Sequence, residues 1–315
     1  MATKARKGDK VNLKEWKDKD SLIIVDVSAH MRTNDAGDLE EKTAAEDLFF
    51  NKKQPRFKRT VLSTEIDGEE MVITSLYKLM QLFKQYGTEH TWVFAFDIGK
   101  SFRKNINKNY KANRVKVGNY YYTQVNTAYK ILREAGFTVL SRNMKEADDC
   151  IAEAVAQNYD YYDKIGIITN DHDLSYLVDD KVSWLNVRKT YADIHKENYF
   201  QQNKCPYNAI LLKKAMVGDP ADNIKGIHRF GDKSFIKFLD KEGIHGEDVR
   251  GRERDILENT KNITDEQREQ ALECWKLVEP APIDLDATAN DLINADIMEA
   301  FFDKYKFKSL KGIFN

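Results

Sequence analysis

Short apolar runs punctuate the chain: residues 22–27 (Leu-Ile-Ile-Val-Asp-Val), residues 91–96 (Thr-Trp-Val-Phe-Ala-Phe) and residues 165–168 (Ile-Gly-Ile-Ile), with similar stretches over 137–140 and 182–187. Runs this short, apolar at successive rather than alternate positions, are what a strand buried on both faces of a parallel sheet shows. Between them apolar positions recur at helical spacing: Leu76, Leu79, Met80, Leu82 and Phe83, a segment over 123–135, and Ile151, Ala152, Val155 and Ala156. Strand and helix alternate, which predicts an α/β fold with a mainly parallel central sheet and helices on both faces. From Tyr207 the pattern is helical, with Ile210, Leu211, Leu212, Ala215 and Met216 in one helix and Phe235, Ile236, Phe238 and Leu239 in the next. Residues 246–270 are strongly charged and predict an exposed helical extension. Leu292, Ile293, Ile297, Phe301, Phe302, Tyr305 and Phe307 predict a last helix packed on the body. The division expected is a basic arm over 1–20, an α/β domain over 21–200, a two-helix unit over 201–245 and a C-terminal helical extension over 246–315.

Acids fall where these elements end or begin. Asp26 closes the first run, Asp97 follows the second, and Asp171 and Asp173 follow residues 165–168. One strand-terminal Asp is most often a turn former or a helix cap. Three in one α/β unit point to the crevice beyond the carboxyl ends of the strands, where such sheets bind ligands. Glu146, Asp148 and Asp149 open a predicted helix, and Asp219 and Asp222 follow another in Val217-Gly-Asp-Pro-Ala-Asp-Asn-Ile-Lys-Gly226. Carboxylates without a His or Cys cluster suit Mg²⁺ or Mn²⁺ rather than zinc. His172, alone between two acids, reads as a spacer. So many carboxylates in one cleft repel one another until a cation joins them.

Over residues 98–116 seven basic residues, Lys100, Arg103, Lys104, Lys108, Lys111, Arg114 and Lys116, occur without one acid, interleaved with Phe102 and Tyr110 and followed by Tyr120, Tyr121 and Tyr122. A charge run is usually a solvated helix face. This one starts beside a candidate ligand, and cations plus aromatic rings are the two terms that hold a nucleic-acid single strand. Gly226 and Gly231 flank a short turn before a helix whose first N–H groups can hold a phosphate. The totals sharpen this. With 32% charged residues and a net charge of -1, no uniform polyanion-binding surface exists, so local segregation decides. With 42% hydrophobic residues there is enough for a real core. Cys150, Cys205 and Cys274 form no close pair, which speaks against a zinc site or disulfides and fits a reducing compartment, the cytoplasm. No apolar run reaches a membrane span, and the Lys-rich N-terminus has no signal-peptide core.

At these residues the chain resembles the 5′-nuclease superfamily: flap endonucleases, the 5′-nuclease domain of bacterial DNA polymerase I, and phage 5′→3′ exonucleases that also act as RNase H. The resemblance covers roughly residues 21–245. Glu146-Ala-Asp-Asp149 is similar to the central acidic motif, Thr169-Asn-Asp-His-Asp173-Leu to the second, Val217–Gly226 to the third, and Tyr110-Lys-Ala-Asn-Arg114 to the basic motif of the bacterial and phage branch. It implies a PIN-like fold with a helix-hairpin-helix subdomain and a two-metal mechanism using Mg²⁺ or Mn²⁺. One metal cluster would come from Asp26, Asp97, Glu146 and Asp148, a second from Asp171, Asp173 and Asp219, with Asp149 and Asp222 at or behind the second holding metal-bound water. Lys111 and Arg114 would contact the scissile phosphate and Tyr110 would stack on a base. Residues 100–122 would form a gateway for a 5′ single strand, with Lys100, Arg103, Lys104, Lys108 and Lys116 contacting it. Gly226, Arg229, Gly231 and Lys233 would grip duplex backbone, in this family often around a potassium ion.

The substrates implied are 5′ flaps, nicks and junctions of single and double strand, and RNA primers in RNA/DNA hybrid, cut by a monomer in replication and repair. The tail over 310–314 is a candidate docking peptide for a clamp or a single-strand-binding protein. Arg229 and Phe230 stand where the family has a glycine and a small aliphatic residue, the polar insertion over 32–60 has no counterpart in these motifs, and no polymerase domain follows. The alternatives are a PIN-like ribonuclease, which would lack the hairpin after Asp222, and a catalytically silent protein that binds branched DNA, which would lack some of the ligands.

Overall fold

Strand β1 (Ser21–Asp26) is buried along its whole length and sends alternate side chains to opposite faces, Leu22 and Ile24 into one core cluster, Ile23 and Val25 into the other. That alternation is the period of two expected of a strand covered on both sides. The computed structural model describes residues 9–16, 20–34, 62–114, 117–188, 191–245, 248–290 and 292–314. Lys116, most of the insertion at 32–60 and the first eight residues of the basic arm lie outside the described residues.

After β1 come α1 (Val27–Asn34), an antiparallel ribbon of β2 (Ser63–Ile66) and β3 (Glu69–Val72), α2 (Thr74–Tyr86), β4 (Thr91–Ala95), the single turn α3 (Arg103–Ile106), α4 (Asn119–Glu134), β5 (Thr138–Leu140), α5 (Ala147–Asn158) and β6 (Lys164–Thr169). A 3₁₀ turn over His172–Leu177 leads to β7 (Val182–Asn186), then α6 (Tyr199–Asn203), α7 (Ile210–Val217), α8 (Asp232–Glu242), α9 (Glu253–Asn259), α10 (Asp265–Val278) and α11 (Ala295–Lys304). The five main strands are all parallel, in the order β5-β4-β1-β6-β7. The chain builds outward on one side of β1 and then returns to build on the other. β1 is therefore the switch point, and the crevice at its carboxyl end is where an open α/β sheet binds a ligand.

One face is covered by α2, α4 and α11 through Leu76, Leu79, Phe83, Leu132, Met298 and Phe302. The other is covered by α5 through Cys150, Ile151 and Ala154, and beyond it lie α7, α8 and α10. Here the structure departs from the expected exposed extension. Ile256, Leu257, Ala271, Cys274 and Trp275 of α9 and α10 are buried in the same cluster as α7, so this segment completes the core. The chain after α10 then runs along α5, where Asn158 Nδ2 donates to the Ala287 carbonyl and Gln157 Oε1 accepts from the Ala287 N–H. No helix among the described residues is long and apolar enough to cross a membrane.

Candidate metal centre and its basic strap

Because β4, β1 and β6 are adjacent and parallel, their carboxyl ends bring Asp97, Asp26 and Asp171 side by side. Thr169, at the end of β6, ties two of them together: its hydroxyl donates to Asp26 Oδ2 at 2.8 Å and accepts from the Asp171 N–H at 2.9 Å. The Ala29 N–H donates to the other Asp26 oxygen, and Asp97 accepts from the Ala147 N–H at 2.7 Å, which binds the β4 end to the start of α5. Asp171 caps the 3₁₀ turn by accepting from the Asp173 N–H, while its own carbonyl accepts from the Trp184 indole on β7 at 2.8 Å.

The third acidic motif is closed by two glycines in the left-handed region, Gly218 (φ 92°) and Gly226 (φ 68°). Each presses on the backbone at the opposite end of the loop. A Cβ on Gly226 would lie 2.4 Å from the Gly218 nitrogen, and one on Gly218 would lie 2.7 Å from the Ile224 oxygen. Asp219 and Ile224 exchange both backbone hydrogen bonds at 2.8 Å, so the loop projects Asp219 and Asp222 back toward the 3₁₀ turn. Carboxylate oxygens of Asp173, Asp219 and Asp222 then lie within 4.8 Å of one another.

Asp222 joins Asp173 and Asp219 in one trio, the first of the two places expected for it, at or behind the second cluster. Among the described residues Asp26, Asp97, Glu146 and Asp148 form no comparable trio. The reason is the company Glu146 keeps: it accepts from Arg103 Nη1 at 3.1 Å, the Tyr110 hydroxyl at 3.0 Å and Lys111 Nζ at 2.9 Å. Asp149 is taken up by partners of its own. It closes a capping box on the Glu146 N–H, accepts both Arg103 terminal nitrogens at 3.0 and 2.9 Å, and takes the Ala281 N–H.

Arg103 of the basic run and Tyr110 interleaved with it are likewise not surface groups. Arg103 is 4% exposed and also donates to the carbonyls of Leu277 and Glu279, and Tyr110 is 3% exposed, so neither is free to meet a strand as expected from sequence. Lys100, Lys104 and Lys108 are exposed. The turn over 108–114 is a strap laid on the third motif. The Lys111 N–H donates to the Asp222 carbonyl, Asn223 Nδ2 to the Asn109 carbonyl, and Asn113 Nδ2 to the Pro220 carbonyl. Arg114 Nη2 sits 2.5 Å from Asp222 Oδ1 and Lys111 Nζ 3.8 Å from Asp222 Oδ2. Arg229 and Lys233 are exposed around the second turn, and Gly231 is the N-cap of α8. Sequence reasoning did not reach the linking role of Thr169, nor Lys214 of α7, whose ammonium contacts both Asp173 and Asp219. The available signal for Lys214 was a pair of lysines, Lys213 and Lys214, inside an otherwise apolar helical run just upstream of Asp219.

The electrostatics are those of a site short of positive charge. Burial, then repulsion from Asp97, pushes Asp26 up to about 7. Burial and Asp171 push Asp173 up to about 7, and burial with Asp171 and Asp26 raises Asp148 well above the ordinary range. Asp171 goes the other way: burial opposes its ionisation, but Lys214, the Asp173 N–H, Lys111 and Arg114 outweigh it. Oxygen donors only, in excess of the local cations, fit a hard divalent ion.

Asp26 makes this measurable. Its ordinary value is 3.8, so near neutral pH the folded protein retains a proton that the unfolded chain has released. That stabilisation is complete below pH 3.8 and is lost as pH rises through about 7. Asp26→Asn should therefore be more stable than the parent at pH 8 in EDTA, by on the order of 4 kcal/mol. The gap should close near pH 4. A gap of equal size at both pH values would contradict the burial and repulsion assigned to Asp26.

Fold and site together define the class, a PIN-like α/β domain with carboxylates gathered at the carboxyl edge of its sheet. Residues 49–205 match the family of the 5′-3′ exonuclease N-terminal resolvase-like domain. A 5′-3′ exonuclease of Buchnera aphidicola subsp. Schizaphis graminum is 31% identical over 160 residues, 51% of this chain and 55% of that protein. One of Buchnera aphidicola subsp. Acyrthosiphon pisum is 27% identical over 245 residues, 74% of this chain and 83% of that protein. The match to the first thus spans little more than half of its length. A bacteriophage T5 flap endonuclease, solved as a pseudo-enzyme-product complex with DNA and metal ions, shares the fold, with a TM-score of 0.55 at 21% identity over 93% of this chain and 98% of that one. Over residues 49–205 the chain belongs to the family of the 5′-3′ exonuclease N-terminal domain.

Proposed function

We propose that this protein is a divalent-metal-dependent 5′ nuclease that cuts DNA near junctions of single and double strand, at 5′ flaps and nicks, and removes RNA primers. The observation that carries this reading is the trio of Asp173, Asp219 and Asp222 lying beneath a strap whose cations already touch it. Its relatives' names agree, and the T5 flap endonuclease with DNA and metal ions shares the fold.

In this reading Asp173, Asp219 and Asp222 hold one divalent ion, and Asp26, Asp148 and Asp171 with Glu146 or Asp97 hold another. Bound Mg²⁺ or Mn²⁺ supplies a more acidic water and charge for the phosphodiester in its transition state. The remaining work falls to the chain. Lys111 and Arg114 exchange their carboxylate partners for the entering phosphate and orient it, while the Tyr110 hydroxyl keeps Glu146 in place. Lys100, Lys104 and Lys108 attract the single strand from the surface. The α8 N-terminus with Lys233 receives duplex backbone, and Arg229 brings to that turn the positive charge that a potassium ion would otherwise bring.

A 5′-labelled flap duplex tests this. In Mg²⁺ or Mn²⁺ the expected labelled product is the released flap, ending in a 3′-hydroxyl at the junction and leaving a 5′-phosphate on the duplex strand, and none forms in EDTA. Tight binding of the flap without product in either metal would replace the nuclease by a silent binder of branched DNA.

A further inference from the structure

Lys214 is the cation of the trio that the strap does not bring. Its ammonium donates to Asp173 Oδ2 and lies 2.5 Å from Asp219 Oδ2, so it bridges two of the three acids. Asp222, the third, is held by Arg114 and Lys111. The two groups of cations differ in attachment. Lys111 and Arg114 belong to a turn outside regular structure, whereas Lys214 rises from α7, whose Ile210, Leu211, Leu212, Ala215 and Met216 are buried and whose end is closed by the Gly218 N–H on the Lys214 carbonyl. The Lys214 side chain is 15% exposed. Its backbone cannot withdraw without unpacking that helix.

We infer that Lys214 is a positioning residue of this site: a fixed internal counter-cation that competes with a divalent ion for Asp173 and Asp219 and so sets how tightly the trio binds metal. The inference rests on the two-ion reading above. A unit positive charge a few ångströms from a divalent ion opposes binding strongly at a half-buried site, and its attraction for the same two oxygens must be broken before they can ligate. With Lys214 present, the trio takes an ion weakly in the free protein and fills when phosphate adds negative charge to the site. The same lysine keeps the metal-free protein from holding three facing carboxylates with the strap as their only balance.

The experiment is calorimetric titration with Mn²⁺ alone, without DNA, on the whole chain and on Lys214→Met, Lys214→Arg and the pair Lys214→Met with Asp219→Asn. Lys214→Met should bind an ion about ten- to hundredfold more tightly than the parent, Lys214→Arg should stay near the parent, and Asp219→Asn should cancel the gain. Melting should show the complement: Lys214→Met melts below the parent in EDTA and is raised more than the parent by Mn²⁺. Lys214→Gln, which keeps a polar group between the carboxylates, supplies the same comparison if Lys214→Met melts below the titration temperature. Equal or weaker Mn²⁺ binding by the uncharged variants overturns the inference and leaves the two-ion reading intact. Absence of Mn²⁺ binding by parent and variants alike overturns both.

Discussion

Replacing Asp171 with Asn should lower flap cleavage in Mg²⁺ by about a thousandfold or more while leaving the fold in place. Asn keeps the shape, and its oxygen can still accept from the Asp173 N–H, the contact that caps the 3₁₀ turn at 3.0 Å. What is lost is a negative charge at the centre of the cluster. Asp171 raises both Asp148 and Asp173 by repulsion, so it stands between the β1 side of the cleft and the trio. It is also the acid that Lys214, Lys111 and Arg114 together hold ionised against its burial. The effect on stability in EDTA should be small by comparison, since two raised carboxyls lose a like charge while Lys214, Lys111 and Arg114 lose an opposite one. Flap binding without metal should be retained, because the phosphate meets one negative charge fewer. Single-turnover cleavage beside a binding titration separates these effects. Cleavage within tenfold of the parent would remove Asp171 from the metal centre.

The parts of this site that were legible in the sequence are those encoded locally. An apolar run followed by an acid, as at Asp26, Asp97 and Asp171, states both that a strand is buried and that a carboxylate emerges at its end. A parallel sheet then places all such ends on one edge. The start of α5 was legible in the same way, since Glu146 precedes an apolar helical stripe. The Asp67-Gly68 turn between β2 and β3 was also written locally, with both residues at positive φ, but the flanking strands are half polar and gave no apolar alternation to read. What the sequence could not show depends on partners far along the chain. Arg103 reads as one more surface cation until the carbonyls of Leu277 and Glu279 close over it. The charged stretch around α9 and α10 reads as solvated because its buried positions, among them Ile256, Leu257 and Trp275, are sparse among charges. Only the surface of α7 shows that they face a core. Asp149 reads as one of a row of ligands until Arg103 and the Ala281 N–H, both distant in sequence, take up its carboxylate.

Arg103→Met should therefore destabilise the protein by about 3–5 kcal/mol, the cost typical of leaving one member of a buried ion pair without its partner. Met approximates the volume, so the loss is electrostatic: Asp149, 1% exposed, keeps only the N–H groups of Glu146 and Ala281, and two carbonyls lose their donor. The pH dependence should change sign with it. In the parent, burial pushes Asp149 up but the Arg103 guanidinium outweighs it and holds the carboxyl below 3.8, so this pair stabilises above the unfolded value and the benefit is lost as pH falls through the folded one. In the variant burial dominates, the folded value rises above the unfolded one, and stability should fall as pH rises. Adding Asp149→Asn should recover part of the loss, a coupling that a double-mutant cycle reads directly. A surface arginine on DNA would behave otherwise, with a small change in stability and a salt dependence of flap binding reduced by about one phosphate contact. A loss under about 1 kcal/mol with that reduced salt slope would return Arg103 to a strand-contacting surface, as its place in the basic run first implied.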